Sequence, residues 1–121
     1  MEIKLENTKA ATILSPQGRL DFAAAASFQQ QLEGAIAGAG TPPSAVIIDC
    51  TALDYVSSAG LRSFLVAARS AQSNGVAFSV CSLQKSVREV FDVSGFSRII
   101  VAYADRNAAL RSLTDPRPTS S

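Results

Sequence analysis

Polar and apolar positions alternate at the start of the chain, where Ile3 and Leu5 sit between Glu2, Lys4 and Glu6. Alternation with a period of two predicts a strand with one buried face. Asn7-Thr8-Lys9 supplies turn residues before a second apolar run, Ala11-Thr12-Ile13-Leu14, so the pair reads as a hairpin. Gly18-Arg19-Leu20-Asp21 breaks that pattern. Asp21 suits the head of an Ala-rich helix reaching about Ala39, because its carboxylate accepts the free N–H groups of a first turn. Phe28, Leu32 and Ile36 recur every four residues and mark the buried stripe of that helix.

Gly40-Thr41-Pro42-Pro43 ends the helix, since the proline rings remove two donors and disfavour helical geometry before them. Ala45 to Cys50 is a continuous apolar run, as in a central strand covered on both faces, and Val76–Cys81 and Ile99–Val101 are similar. Helices are expected between these strands. Ser58 to about Ser73 places Leu61, Leu65 and Ala68 on one stripe and ends at Asn74-Gly75. Val87, Val90 and Phe91 give a shorter helix ending near Gly95, and a last helix begins around Asp105 with Leu110 and Leu113 facing inward. The order implies an α/β fold: a mixed β-sheet with parallel central strands and about four α-helices. The domain is expected over residues 1–113, with 114–121 a disordered tail that has two prolines and nothing apolar to bury.

Composition narrows the function. With 121 residues the chain fits a single core, and 47% hydrophobic against 17% charged residues gives that core enough apolar surface to order most of the chain. The formal net charge is +1 and neither sign is gathered into a block, so nucleic acid is not an expected partner. No segment has the length of a signal peptide's apolar region or of a membrane span, which predicts a cytoplasmic protein with no membrane partner. Cys50 and Cys81 lie in separate apolar runs and read as reduced, buried thiols. Histidine is absent, which removes the commonest general base and zinc ligand and argues against an enzyme.

In open sheets with parallel strands, ligands and partners favour the edge where strands deliver their carboxyl ends into loops, which here points to Asp49 through Ser58. Two adjacent serines, Ser57 and Ser58, stand where the second long helix begins, and one hydroxyl suffices as its cap. From residue chemistry alone they read as a capping pair. A spare hydroxyl at that place is also suited to phosphorylation, because a charge of about −1.5 to −2 meets the positive end of the helix dipole. Arg62, four residues beyond Ser58, is placed to lie near such a phosphate.

The stretch Ser57-Ser58-Ala59-Gly60-Leu61-Arg62 resembles the motif that starts the partner-facing helix of STAS domains, the anti-sigma factor antagonist family. Gly18-Arg19-Leu20-Asp21 is similar to that family's Gly-x-Leu-Asp, Val46-Ile47-Ile48-Asp49 to its central strand, and the block from Val87 to Ile100 to its late helix-loop-strand segment. The resemblance spans roughly residues 3 to 113. It implies a single STAS-like domain whose phosphorylated serine falls on Ser58, with Ser57 standing where the family often has aspartate. The partner surface it implies comprises Asp21, Asp54, Ser57, Ser58, Ala59, Gly60 and Arg62. Its implied partners are an anti-sigma factor serine kinase, bound so that a sigma factor is released, and a serine phosphatase. Nothing in the chain demands more than a monomer.

Other readings compete. The same surface suits a STAS scaffold or adaptor subunit of a signalling or lipid-transport complex, in which Ser58 is never modified. A hydrolase using Ser57 or Ser58 lacks both a Gly-x-Ser-x-Gly elbow and a histidine base. Asp21, Asp49 and Asp54 are better read as a helix cap, a strand end and a loop residue than as a metal cluster, so no metal or cofactor is expected. Phe91 and Phe96 are read as core.

Overall fold

Thr8 organises the first turn. Its amide donates to the Ala11 carbonyl at 2.8 Å, and its hydroxyl oxygen accepts from the Ala10 and Ala11 amides. The turn joins β1 (Glu2–Asn7) to an antiparallel β2 (Thr12–Leu20), with Glu2 opposite Gln17 and Asn7 opposite Thr12. The computed structural model describes residues 1–39 and 44–114; the expected helix stop at 40–43 and residues 115–121 of the expected tail lie outside them, while Thr114, expected as the first residue of the tail, is the last residue of a helix. Because β1 is an edge strand, its alternation does not produce the buried face expected: Ile3 is half-buried and Leu5 stays 59% exposed.

β2 runs six residues past Leu14, through the expected break. Pro16 is tolerated inside it because β3 (Ser44–Asp49) pairs only with Thr12–Leu14 and β4 (Leu53–Val56) only with Gly18–Leu20, which leaves residues 15–17 unpaired on that side. Gly18 adopts φ +90° at a register shift, a conformation that favours glycine. β4 was not expected, since four residues with only Leu53 and Val56 buried carry no alternation.

β5 (Val76–Cys81) and β6 (Val101–Tyr103) complete a sheet ordered β1-β2-β3-β5-β6, with β2, β3, β5 and β6 parallel and β4 along the far half of β2. The expected last strand is displaced: Phe96–Arg98 forms a 3₁₀ turn, the strand starts at Val101, and as an edge it leaves Val101 54% exposed. Helices α1 (Phe22–Ala37), α2 (Ser58–Ser73), α3 (Lys85–Val93) and α4 (Arg106–Thr114) follow the strands.

The strand period of two divides the core. Leu14, Val46, Ile48 and Val80 pack with the buried residues of α1, α2 and α3, while Ile13, Ile47 and Cys81 turn to the other face against Ala109 of α4. Leu110 and Leu113 pack at the margin of that second cluster. Phe28, Leu32 and Ile36 are buried on α1 as expected. The stripe of α2 is rotated from expectation: Gly60, Ser63, Phe64, Ala67 and Ala71 are buried, and Leu61, Leu65 and Ala68 are half-buried. Phe64 sets this rotation, packing 5.2 Å from Phe28 and 5.3 Å edge-on from Phe91, which in turn meets Phe96 at 5.9 Å.

Candidate functional site

Two strand-to-helix junctions lie side by side at one end of the sheet. β2 delivers α1 and β4 delivers α2, with Arg19 opposite Tyr55 and Leu20 opposite Val56. The next residue of each chain segment is a helix cap: Asp21 accepts from the Ala24 amide at 2.9 Å, and Ser57 accepts from the Gly60 amide at 3.1 Å. The Ser57 amide donates to the Leu20 carbonyl at 2.9 Å, which locks the junctions together.

The first turns of the two helices are also sewn to each other. Ser63 is buried and its hydroxyl reaches the carbonyls of Ala25 and Ala59, both at 3.2 Å. A Cβ on Gly60 would stand 2.7 Å from Leu20 Cγ and 3.0 Å from the Leu20 carbonyl oxygen, so only glycine permits this approach. Gly60, expected on the partner surface, is therefore buried, and it shapes that surface from beneath.

Ser58 is the first residue of α2 and is exposed. With Ser57 serving as the cap, its hydroxyl has no hydrogen-bond partner among the described residues. The first turn of α2 contains no acidic side chain, so the positive end of its dipole is not offset there. Asp21, Asp54 and Arg62 are exposed around the two junctions, and Ala59 is half-buried. The expected site residues are thus gathered at one end of the molecule, with Gly60 alone underneath. Two aromatic residues there were not expected. Phe22 is 83% exposed, and Tyr55 is 39% exposed with the Arg19 guanidinium 4.0 Å from its ring centroid. Phe22 lies six residues before Phe28, off the four-residue spacing of the buried stripe, and that spacing marks it as outward-facing.

The remaining polar chemistry is structural. Asp49 accepts from the Thr51 hydroxyl at 2.6 Å and amide at 3.1 Å, and pairs with Arg106 at 3.0 Å; Arg106 also reaches Glu6 at 2.8 Å. Burial alone would raise the Asp49 carboxyl, but the Thr51 hydrogen bonds and the Arg106 guanidinium outweigh it and hold the group below its ordinary range. Gln84 donates to the Thr51 carbonyl at 2.8 Å, fixing the turn between β3 and β4. Both cysteines are free and buried. Burial pushes the Cys81 thiol up to about 11 and the Cys50 thiol well above its usual value, which opposes nucleophilic chemistry. Among the described residues no group of three or more acidic, cysteine or histidine side chains is placed to hold a metal, and no helix is long and apolar enough to cross a membrane.

Comparison with known proteins places this geometry. The STAS domain family matches residues 2–109. BtrV of Bordetella bronchiseptica, provisionally described as an anti-sigma factor antagonist, is 32% identical over 118 residues, covering 98% of this chain and 99% of its own. An anti-sigma factor antagonist from Mycobacterium paratuberculosis superposes with a TM-score of 0.83 at 21% identity, over 94% of each chain. The unphosphorylated anti-sigma factor antagonist SpoIIAA superposes at 0.77 with 20% identity, over 96% of this chain and 100% of its own, and the phosphorylated Bacillus protein at 0.69 with 20% identity, over 92% and 98%. At those identities the two solved proteins establish a shared fold. The chain belongs to the STAS domain family, in the branch whose relatives are anti-sigma factor antagonists.

Proposed function

We propose that this chain is an anti-sigma factor antagonist that binds an anti-sigma serine kinase, releases a sigma factor, and is switched off by phosphorylation of Ser58. The observation that carries the reading is the division of labour between adjacent serines: Ser57 caps α2, which leaves the Ser58 hydroxyl exposed and unbonded among the described residues. The relationship to BtrV supports the antagonist role, and the existence of SpoIIAA in phosphorylated and unphosphorylated forms supports the switch.

The physical step is electrostatic. In the free protein a phosphate on Ser58 meets the amino end of α2 and has Arg62 one turn away, so the fold tolerates it. In a complex the same group must be desolvated or placed against the partner, at a cost of several kcal/mol unless it is paired. A loss of about 2.8 kcal/mol already weakens binding by about two decades. Asp21, Asp54 and Arg62 supply the surrounding polar contacts. The protein acts as a cytoplasmic monomer without catalytic activity, and a serine phosphatase restores the binding form.

The test is to incubate the protein with the anti-sigma serine kinase of its genome and ATP, then locate phosphate by mass spectrometry. Modification of the Ser58 peptide, absent from a Ser58→Ala control, is expected. Recovery of a stable kinase complex with Ser58 unmodified would instead identify a scaffold that binds without switching.

A further inference from the structure

Phe22 occupies on α1 the place that Ser58 occupies on α2. Leu20 pairs with Val56, Asp21 and Ser57 are the two caps that follow, and Phe22 and Ser58 are the first helical residues beyond them. The two helices pack directly, with Ser63 bonded to Ala25 and Phe64 against Phe28, so their axes lie on the order of 10 Å apart. Phe22 nonetheless contributes little to the fold, being 83% exposed at the end of a helix whose buried stripe lies elsewhere.

An isolated exposed aromatic residue is ordinary on a protein surface. Phe22, however, opens the helix packed directly against the one that Ser58 opens. A kinase that takes the Ser58 hydroxyl into its active site must cover a surface of about 800 Å² on this chain, a disc roughly 16 Å in radius, and Phe22 falls inside it. Tyr55, at the register position next to Val56, carries the Arg19 guanidinium 4.0 Å from its ring centroid. Arg19, Asp21, Asp54 and Arg62 are exposed on the same two strand-to-helix segments, so Phe22 is an apolar ring on a surface that carries charges of both signs. Interfaces with that anatomy draw most of their affinity from the central aromatic side chain.

We propose that Phe22 is the principal anchor of the complex with the anti-sigma serine kinase, seated in an apolar pocket of that kinase. This rests on the partner proposed above but not on the phosphorylation of Ser58. Phe22 touches neither ATP nor the reacting hydroxyl. Its loss therefore weakens docking and leaves the chemical step intact, raising KM with kcat unchanged.

The test measures Kd by calorimetry for the purified kinase with wild-type protein and with the Phe22→Ala, Phe22→Leu, Val93→Ala and Ser58→Asp variants. Val93 is 90% exposed on α3 and serves as the control for loss of a surface hydrophobic residue. Phe22→Ala is expected to weaken binding at least tenfold with an unchanged melting temperature, Phe22→Leu to retain part of the affinity, and Val93→Ala to match wild type. Binding of Phe22→Ala within twofold of wild type overturns the anchor and leaves the functional reading standing. Wild-type affinity in Ser58→Asp beside a loss in Phe22→Ala overturns the switch and leaves the anchor. A wild-type protein that does not bind the kinase overturns both.

Discussion

Adding one methyl group to Gly60 tests how tightly the serine-bearing turn is held against the rest of the domain. The new Cβ would lie 2.7 Å and 2.9 Å from Leu20 Cγ and Cδ2 and 3.0 Å from the Leu20 carbonyl oxygen. The side chain of Leu20 is fully buried, and its backbone is fixed by the bond from Ser57, so neither can swing aside. Overpacking at such a site costs about 1–3 kcal/mol, and the better helix propensity of alanine returns up to about 1 kcal/mol. The net loss is about 1–2 kcal/mol. For 121 residues the unfolding entropy is about 0.25 kcal/mol/K, so the melting temperature of Gly60→Ala falls by about 4–8 °C in a circular-dichroism melt. Gly34→Ala is the internal control. A Cβ at Gly34 meets nothing within 4 Å, so that variant gains about 0.5–1 kcal/mol and melts higher. If Gly60→Ala melts with or above wild type, the close approach of α2 to Leu20 is not the reason for glycine there.

Ser57→Ala removes the cap of α2 and is expected to cost about 1 kcal/mol, whereas Ser58→Ala leaves the melting temperature unchanged; parallel thermal melts separate the two serines. Asp49→Asn breaks the link between the end of β3 and Arg106 and destabilises by about 1–3 kcal/mol near neutral pH. Because the folded carboxyl is held below its unfolded value, that contribution is complete above the unfolded pKa of about 4 and disappears as the pH falls through the lower folded value. Urea titrations should therefore show wild type and Asp49→Asn converging in stability only in strong acid. The two thiols are buried and raised, so a thiol reagent at about pH 8 leaves both unmodified in folded protein and modifies both in denaturant.

The order of elements was legible because each long helix and central strand carries its own period. Phe28, Leu32 and Ile36 announce α1, and the unbroken run from Val46 to Ile48 announces a strand covered on both sides. Asp21 was legible as a cap, and so was a serine cap for α2, since both act within three residues of themselves; which of Ser57 and Ser58 it is came from the structure. What escaped depends on partners distant in sequence. β4 exists because the far half of β2 offers it a ladder, and its own four residues carry no periodicity. The rotation of α2 follows from the meeting of Phe64 with Phe28 and Phe91, three rings on three helices. The ion pair of Asp49 with Arg106 joins residues 57 positions apart. The site residues were read from a local motif and are gathered at one end of the fold. The motif did not reveal that Gly60 lies beneath the surface, or that the junctions leading to Phe22 and Ser58 lie side by side, because these follow from the register of β2 against β4.

Switching requires that a charge at Ser58 decide whether the partner stays bound. The direct measurement is the dissociation constant of the kinase for the unmodified protein and for protein stoichiometrically phosphorylated at Ser58, compared by calorimetry under the same conditions. An increase of at least about 100-fold on phosphorylation, or about 2.8 kcal/mol, is the predicted result. Equal dissociation constants for the two forms would contradict it.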